Sequence, residues 1–277
     1  MDMTQQLKAT LLGTGSPRPN LVRSQPAVLV AWGNEKVLVD CGDGTVQQLQ
    51  HAGLNPNEIH NVFFTHLHWD HVLGYPSLVW GGWSLGRDRL AVWGPPGTGR
   101  MHAELVRNFF TEQAEWVREE IGYNTAGWEN ISIAELSDGE IVTIGDCQVR
   151  AQHVLHPPIE AFAMRFEYDD RSLVISGDVA RCEELVDIAR DADVLVIDVC
   201  ATAPSFGSSF SQEMLDNLRV SHASARDAGI MATEANVGRV ICTHLLPGVD
   251  TSFVIEEVRR HYHGRVEVGE DLTAYEV

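Results

Sequence analysis

The sequence predicts an α/β fold in which two β-sheets lie face to face with helices on the outside. Three observations carry that prediction. Short apolar runs of strand length alternate with stretches of helical periodicity along the chain. The alternation occurs in both halves as a rough duplication. No linker, low-complexity segment or block of like charge interrupts it, and 277 residues is ample for one large α/β unit. Residues 1–277 therefore read as a single domain.

The elements follow in order. Residues 9–12 form a strand that runs into the loop Gly13-Thr14-Gly15-Ser16-Pro17-Arg18-Pro19. Residues 27–31 and 36–39 read as paired strands around the turn Gly33-Asn34. A short helix over 45–52 closes at Gly53, a C-cap position. The apolar run Val62-Phe63-Phe64 is a buried strand, and an aromatic stretch with Tyr75, Trp80, Trp83 and Trp93 follows. These tryptophans line either an apolar pocket wall or the core. Residues 99–120 have helical periodicity. In the second half, 141–144, 149–154, 161–168 and 172–175 are consecutive strands. A helix near 182–190 precedes the strand 194–197, and a helix over 223–235 precedes the strand 239–242.

Composition narrows the functional classes. The chain is 44% hydrophobic and 21% charged, as soluble globular proteins are. No run reaches the length of a membrane span, so no membrane partner is expected. Residues 1–9 lack the basic start and apolar core of a signal peptide. Cys41, Cys147, Cys182, Cys200 and Cys242 show no CxxC pairing and read as reduced thiols in a cytoplasmic protein. Twenty Lys and Arg against 39 Asp and Glu give a net charge of −19. Gripping a phosphate backbone needs a basic surface that releases counterions. The only dense candidate, Arg87-Asp88-Arg89, is interrupted by an acid. A small-molecule partner is expected, nucleic acid is disfavoured, and a homodimer stays open.

The segment Thr65-His66-Leu67-His68-Trp69-Asp70-His71 carries the chemistry. Buried without partners, its polar groups would each cost on the order of a few kcal/mol; a divalent cation removes that cost. His66 and His68, two apart, point the same way from an extended segment. Asp70 and His71 come from a following turn and reach a second position nearby. That spacing suits two adjacent metals that activate a water and stabilise the attacking and leaving oxygens. Other ligands are sought at strand ends. Asp178 follows Ser176-Gly177, and its two oxygens could bridge two cations; the alternative is a turn aspartate that caps the next helix. His244 repeats the Thr-His ending of Thr65-His66. His156 is preferred to His153 because it stands at a strand end before two prolines. Asp40 is expected to orient a ligand histidine by accepting its other N–H.

Together these residues resemble the metallo-β-lactamase-fold hydrolases: Leu38-Val39-Asp40-Cys41-Gly42, the cluster His66, His68, Asp70 and His71, then His156, Ser176-Gly177-Asp178 and Thr243-His244. The opening Leu11-Leu12-Gly13-Thr14-Gly15-Ser16-Pro17 is similar to the branch holding ribonuclease Z and arylsulfatase-like enzymes. In that branch a histidine matching His222 sits over the metals near the substrate. The resemblance implies an αββα sandwich of two mixed sheets. It implies one metal on His66, His68 and His156, another on Asp70, His71 and His244, and Asp178 between them. Two divalent ions are expected, zinc first, with manganese or iron as alternatives. Asp70 and His222 are the expected catalytic residues. Two departures separate the chain from ribonuclease Z. Residues 157–177 leave no room for that family's protruding arm, and its Glu-containing motif ahead of the His222 position is not evident in 198–220. The expected function is a dinuclear hydrolase of a small ester, lactone, phosphodiester or sulfate ester, working through a metal-bridging hydroxide. A ribonuclease Z-like tRNA 3′-processing endonuclease is the alternative, followed by a single-iron sulfur dioxygenase or a non-catalytic binding protein.

Overall fold

The computed structural model describes residues 6–122, 126–202 and 211–277. The first half runs β1 (Lys8–Gly13), β2 (Ala27–Trp32), β3 (Glu35–Val39), α1 (Thr45–His51), β4 (Asn61–Phe63), α2 (Trp69–Val72), α3 (Tyr75–Ser84) and β5 (Leu90–Gly94). Next come α4 (Thr98–His102), a π-helical turn (Ala103–Arg107), α5 (Asn108–Ile121) and β6 (Ile131–Glu135). The second half holds β7 (Ile141–Ile144), β8 (Cys147–Val154), β9 (Ala161–Tyr168), β10 (Arg171–Ile175), α6 (Glu183–Ile188) and β11 (Val194–Asp198). It ends with α7 (Gln212–Leu218), α8 (Ala225–Glu234), β12 (Arg239–Thr243), α9 (Thr251–Arg259), β13 (Arg265–Val268) and β14 (Thr273–Glu276).

Two seven-stranded sheets result, in the orders β14-β1-β2-β3-β4-β5-β6 and β13-β12-β11-β10-β9-β8-β7. Each has an antiparallel half and a parallel half: β3 to β6 run parallel in the first sheet and β10 to β13 in the second. Parallel strands need crossover helices, and these cover the outer faces. Val30, Val37, Phe63, Val149, Phe166, Leu173 and Ile241 fill the space between the sheets. The helices α6, α8 and α9 cover the second sheet through Leu185, Met231, Val254 and their neighbours. Helices α1 and α3 cover the first through Leu49, Tyr75 and Leu78. The expected αββα sandwich is the fold observed.

Local chemistry explains the boundaries. Ser224 caps α8 in a reciprocal exchange with Asp227, and Asp250 caps α9 by accepting from the Ser252 N–H. Several elements escape the sequence pattern. The aromatic stretch is helix α3 followed by β5; two tryptophans and two glycines in α3 hide the helical period. The predicted helix over 99–120 is interrupted by the π-helical turn. Strands β6, β13 and β14 are edge strands of only four or five residues, too short to stand out in the sequence. No helix among the described residues is long and apolar enough to cross a membrane. Of the N-terminal stretch 1–9, residues 1–5 lie outside the described ones.

Candidate metal centre

The histidines and aspartates singled out in the sequence converge at the edge where the C-terminal ends of the central strands meet. Asp40 follows β3, His66 and His68 follow β4, His156 follows β8, Asp178 follows β10 and His244 follows β12. Asp70 and His71 lie in the single turn α2, whose N-cap is His68. Gly177 makes this convergence feasible. It has φ 59°, and a Cβ there would fall 2.7 Å from Thr65 Cβ, so only glycine lets the loop before Asp178 lie against the loop before His66.

The side chains sort into two sets that share Asp178. In the first, His68 Nδ1 lies 3.2 Å from both His66 Nε2 and His156 Nε2, and Asp178 Oδ2 lies 3.4 Å from His66 Nε2. In the second, His244 Nε2 lies 3.2 Å from Asp70 Oδ2 and 3.4 Å from Asp178 Oδ1, and His71 Nε2 lies 3.3 Å from Asp178 Oδ1. Ligands about 2.0–2.1 Å from a tetrahedral zinc stand about 3.3 Å from one another. Each set is therefore spaced as the shell of one cation, with one oxygen of Asp178 facing each. His71 Nε2 is buried without a hydrogen-bond partner, which a cation would correct. The residues present fit divalent metal binding. His153 stands outside: it is exposed, while His156 is buried.

Neighbouring groups set which ring nitrogen is free. His71 Nδ1–H donates to Asp40 Oδ2 at 2.8 Å, and His156 Nδ1–H donates to the Ser221 carbonyl at 2.6 Å. Asp40 also accepts from the Thr65 N–H and the Thr65 hydroxyl, both at 2.8 Å. The Thr65 Oγ1 in turn lies 3.0 Å from His66 Nδ1 and accepts its proton. One carboxylate thus leaves the Nε2 lone pairs of two histidines facing the centre. Asp40 and His244 both hold φ 60°, a left-handed backbone at two positions of the site.

The electrostatics differ between the sets. Burial pushes His66 down to about 3, and burial also lowers His68 and His156, so the first set offers neutral imidazoles. In the second, burial favours the neutral ring, yet Asp178 and Asp40 raise His71 to about 10. His244 is also raised, against burial, chiefly by Asp178. These rings keep a proton because the surrounding carboxylates demand positive charge, which a cation also supplies.

Asp198 is the residue the sequence reading missed. It ends β11, is fully buried, and accepts the His222 Nδ1–H at 2.9 Å and the Cys200 N–H at 2.7 Å. It is the acid that holds the His222 ring; residues 203–210 of the 198–220 stretch lie outside the described ones. The available signal was a third strand ending in an acid at the same edge. Burial lowers His222, but Asp198 and Asp178 raise it above its ordinary value overall. The tryptophans divide. Trp93 stacks on Phe63 at 4.8 Å in the core, while Trp80 and Trp83 line an apolar cavity of about 400 Å³ between α3 and α5. None of that cavity's lining residues belongs to the metal centre.

An αββα sandwich with such a centre defines a class. The β-lactamase superfamily domain matches residues 35–245, and the chain belongs to the metallo-β-lactamase superfamily of metal-dependent hydrolases. Ribonuclease Z of Mycolicibacterium paratuberculosis is 32% identical over 98% of both chains, and that of Mycobacterium bovis 31% identical over the same shares. Among solved structures, the metallo-β-lactamase fold protein YhfI from Bacillus subtilis superposes with a TM-score of 0.79 at 18% identity, covering 99% of this chain and 100% of that one. The short form of human tRNase Z superposes with a TM-score of 0.69 at 22% identity, covering 97% and 98%.

These ribonuclease relatives overturn the expectation of a small-molecule substrate with nucleic acid disfavoured. Net charge sums the whole surface, whereas binding responds to the field at the site, where cations would sit. The basic candidate was misread too: Arg87 is buried and donates to the carbonyls of Pro56, Leu78 and Val79. The segment between His156 and Asp178 is filled by β9 and β10, so the departure in the arm stands beside the likeness.

Proposed function

We propose that this chain is a ribonuclease Z-like endonuclease, a single cytoplasmic domain over residues 1–277 that hydrolyses a phosphodiester at the 3′ side of precursor tRNA. The observation that carries the reading is the full-length likeness to proteins named ribonuclease Z. The chemistry of the site supports it. His66, His68 and His156 would hold one divalent ion, Asp70, His71 and His244 a second, and Asp178 both. Zinc suits the imidazole-rich sets best, with manganese or iron as alternatives. When bound, two such ions supply Lewis acidity, an acidified water and charge stabilisation at a phosphoryl centre.

The chain's own residues do the rest. Asp70, on the turn α2 after His68, would be one of the residues that hold the second ion and would orient the attacking water. With Nδ1 committed to Asp198, His222 has Nε2 left to meet the substrate. Asp198 and Asp178 favour its protonated form, which suits donation to the leaving oxygen. The buried carboxylates hold the histidines in place so that little reorganisation is needed on binding.

The test is incubation of zinc- or manganese-loaded protein with precursor tRNA carrying a 3′ trailer, with the product ends mapped. The expected result is one cut at the trailer junction, abolished by chelation and by Asp178→Ala. Metal-loaded protein that leaves the trailer intact refutes the reading.

A further inference from the structure

Trp69 stands between His68 and Asp70, which face different metal sets, yet its own side chain points to solvent. It is 58% exposed at the first position of α2, with its ring 5.8 Å from the His68 ring. Leu73, four residues on, is 48% exposed, and this spacing puts it on the same face of the turn. Folding does not favour that placement, because exposed apolar area forgoes burial. The turn nonetheless presents an exposed indole beside His68, at the edge of the candidate centre.

A second observation concerns how RNA would be held. The densest basic segment of the sequence, Arg87-Asp88-Arg89, has Arg87 spent inside on backbone carbonyls. That guanidinium offers nothing to a phosphate backbone. Stacking of bases on aromatic faces needs no positive charge and tolerates any base. A phosphodiester seated at the two sets would carry its flanking bases one sugar away, and the Trp69 ring stands 5.8 Å from the His68 ring of the first set.

We propose that Trp69 is a stacking platform for a nucleobase next to the scissile phosphate, with Leu73 extending its apolar face. This rests on reading the chain as an RNA phosphodiesterase. The role is in binding: the indole holds the strand in register over the metals and takes no part in bond making or breaking.

The experiment uses zinc-loaded protein and precursor tRNA, with wild type, Trp69→Ala and Trp69→Phe compared on intact substrate and on substrate made abasic on each side of the cut. Trp69→Ala should raise KM roughly ten- to a hundredfold, the effect of one lost base stack, with a smaller change in kcat. Trp69→Phe should recover most of it. On one of the abasic substrates the wild type should fall to the level of Trp69→Ala, and the variant should lose nothing more. Zinc per chain should be the same in all three proteins. Equal wild-type-to-alanine ratios on intact and abasic RNA would overturn the proposal. So would a phenylalanine variant as poor as alanine, or zinc lost from Trp69→Ala, which would mean the residue acts through His68 and Asp70. Wild-type protein that cuts no precursor tRNA overturns the nuclease reading and the platform with it.

Discussion

Replacing Asp40 separates what a buried carboxylate does for stability from what it does for metal binding. Asp40 accepts three hydrogen bonds of 2.8 Å, from the Thr65 N–H, the Thr65 hydroxyl and His71 Nδ1. In Asp40→Ala the Thr65 hydroxyl can turn to His66 Nδ1, 3.0 Å away, and His71, which loses one of the two carboxylates that keep it charged, can release its Nδ1 proton and hold Nε2–H toward Asp178. The Thr65 amide cannot adjust, and a stranded buried donor costs about 1–3 kcal/mol. Alanine at φ 60° adds about 1 kcal/mol of backbone strain. The expected loss is about 3 kcal/mol, or about 6–10 °C in Tm for a chain of this size, measured with chelator so that metals contribute nothing. Asp40→Asn keeps the shape and tolerates the left-handed backbone. Its amide nitrogen, however, donates where the carboxylate accepted, which moves the protons of His66 and His71 onto Nε2. Stability in chelator should stay within about 1 kcal/mol of wild type, while metal affinity, read by competition with a chromophoric chelator, falls about 10–100-fold. Asparagine that binds metal as tightly as aspartate would refute the proton argument; alanine with unchanged Tm would refute the packing argument.

Other expectations follow from the same geometry. Elemental analysis after mild purification should find more than one equivalent of zinc, manganese or iron, and Asp178→Ala, which removes an oxygen from each set, should lower it with loss of cleavage. His156→Ala should lose most metal affinity and His153→Ala little, as their opposite burial requires; the reverse would shift the assignment by three residues. His222→Ala should lower kcat on the order of 10²–10⁴-fold with metal content unchanged, and a fall in bound metal would recast His222 as a ligand. Gly177→Ala should destabilise the fold and weaken metal binding together, since its Cβ would sit 2.7 Å from Thr65 Cβ; wild-type Tm and metal content would remove that contact from the account.

Most of the candidate metal centre was legible because the residues that could hold metal are written locally. His66, His68, Asp70 and His71 share one loop, and His156, Asp178 and His244 each follow an apolar run that marks a strand end. Asp198 was illegible for a physical reason: it completes the buried strand Val194–Asp198 and reads as part of the core until β11 is placed between β10 and β12. The Thr65 relay could not be read either, since it depends on a contact spanning β3 and β4. The sandwich followed from alternation, but α3 did not, because its tryptophans and glycines blur the period. The substrate class was misjudged because total charge says nothing about where charges lie, and Arg87 turned inward.

Asp271 gives the architecture a timetable. Its carboxylate accepts from the Thr14 amide and hydroxyl, from the Ser24 amide and from the Gln48 side chain. It thereby ties down the glycine-rich loop after β1, whose Gly15 bridges to Leu245 beside His244. Thr14 and Asp271 are 257 residues apart. As the chain emerges from the ribosome, N-terminal segment first, that loop has its own Gly15–Ser24 and Arg23–Thr14 hydrogen bonds, but it gains the Asp271 tie only after His244, the last residue of the candidate centre, has been made.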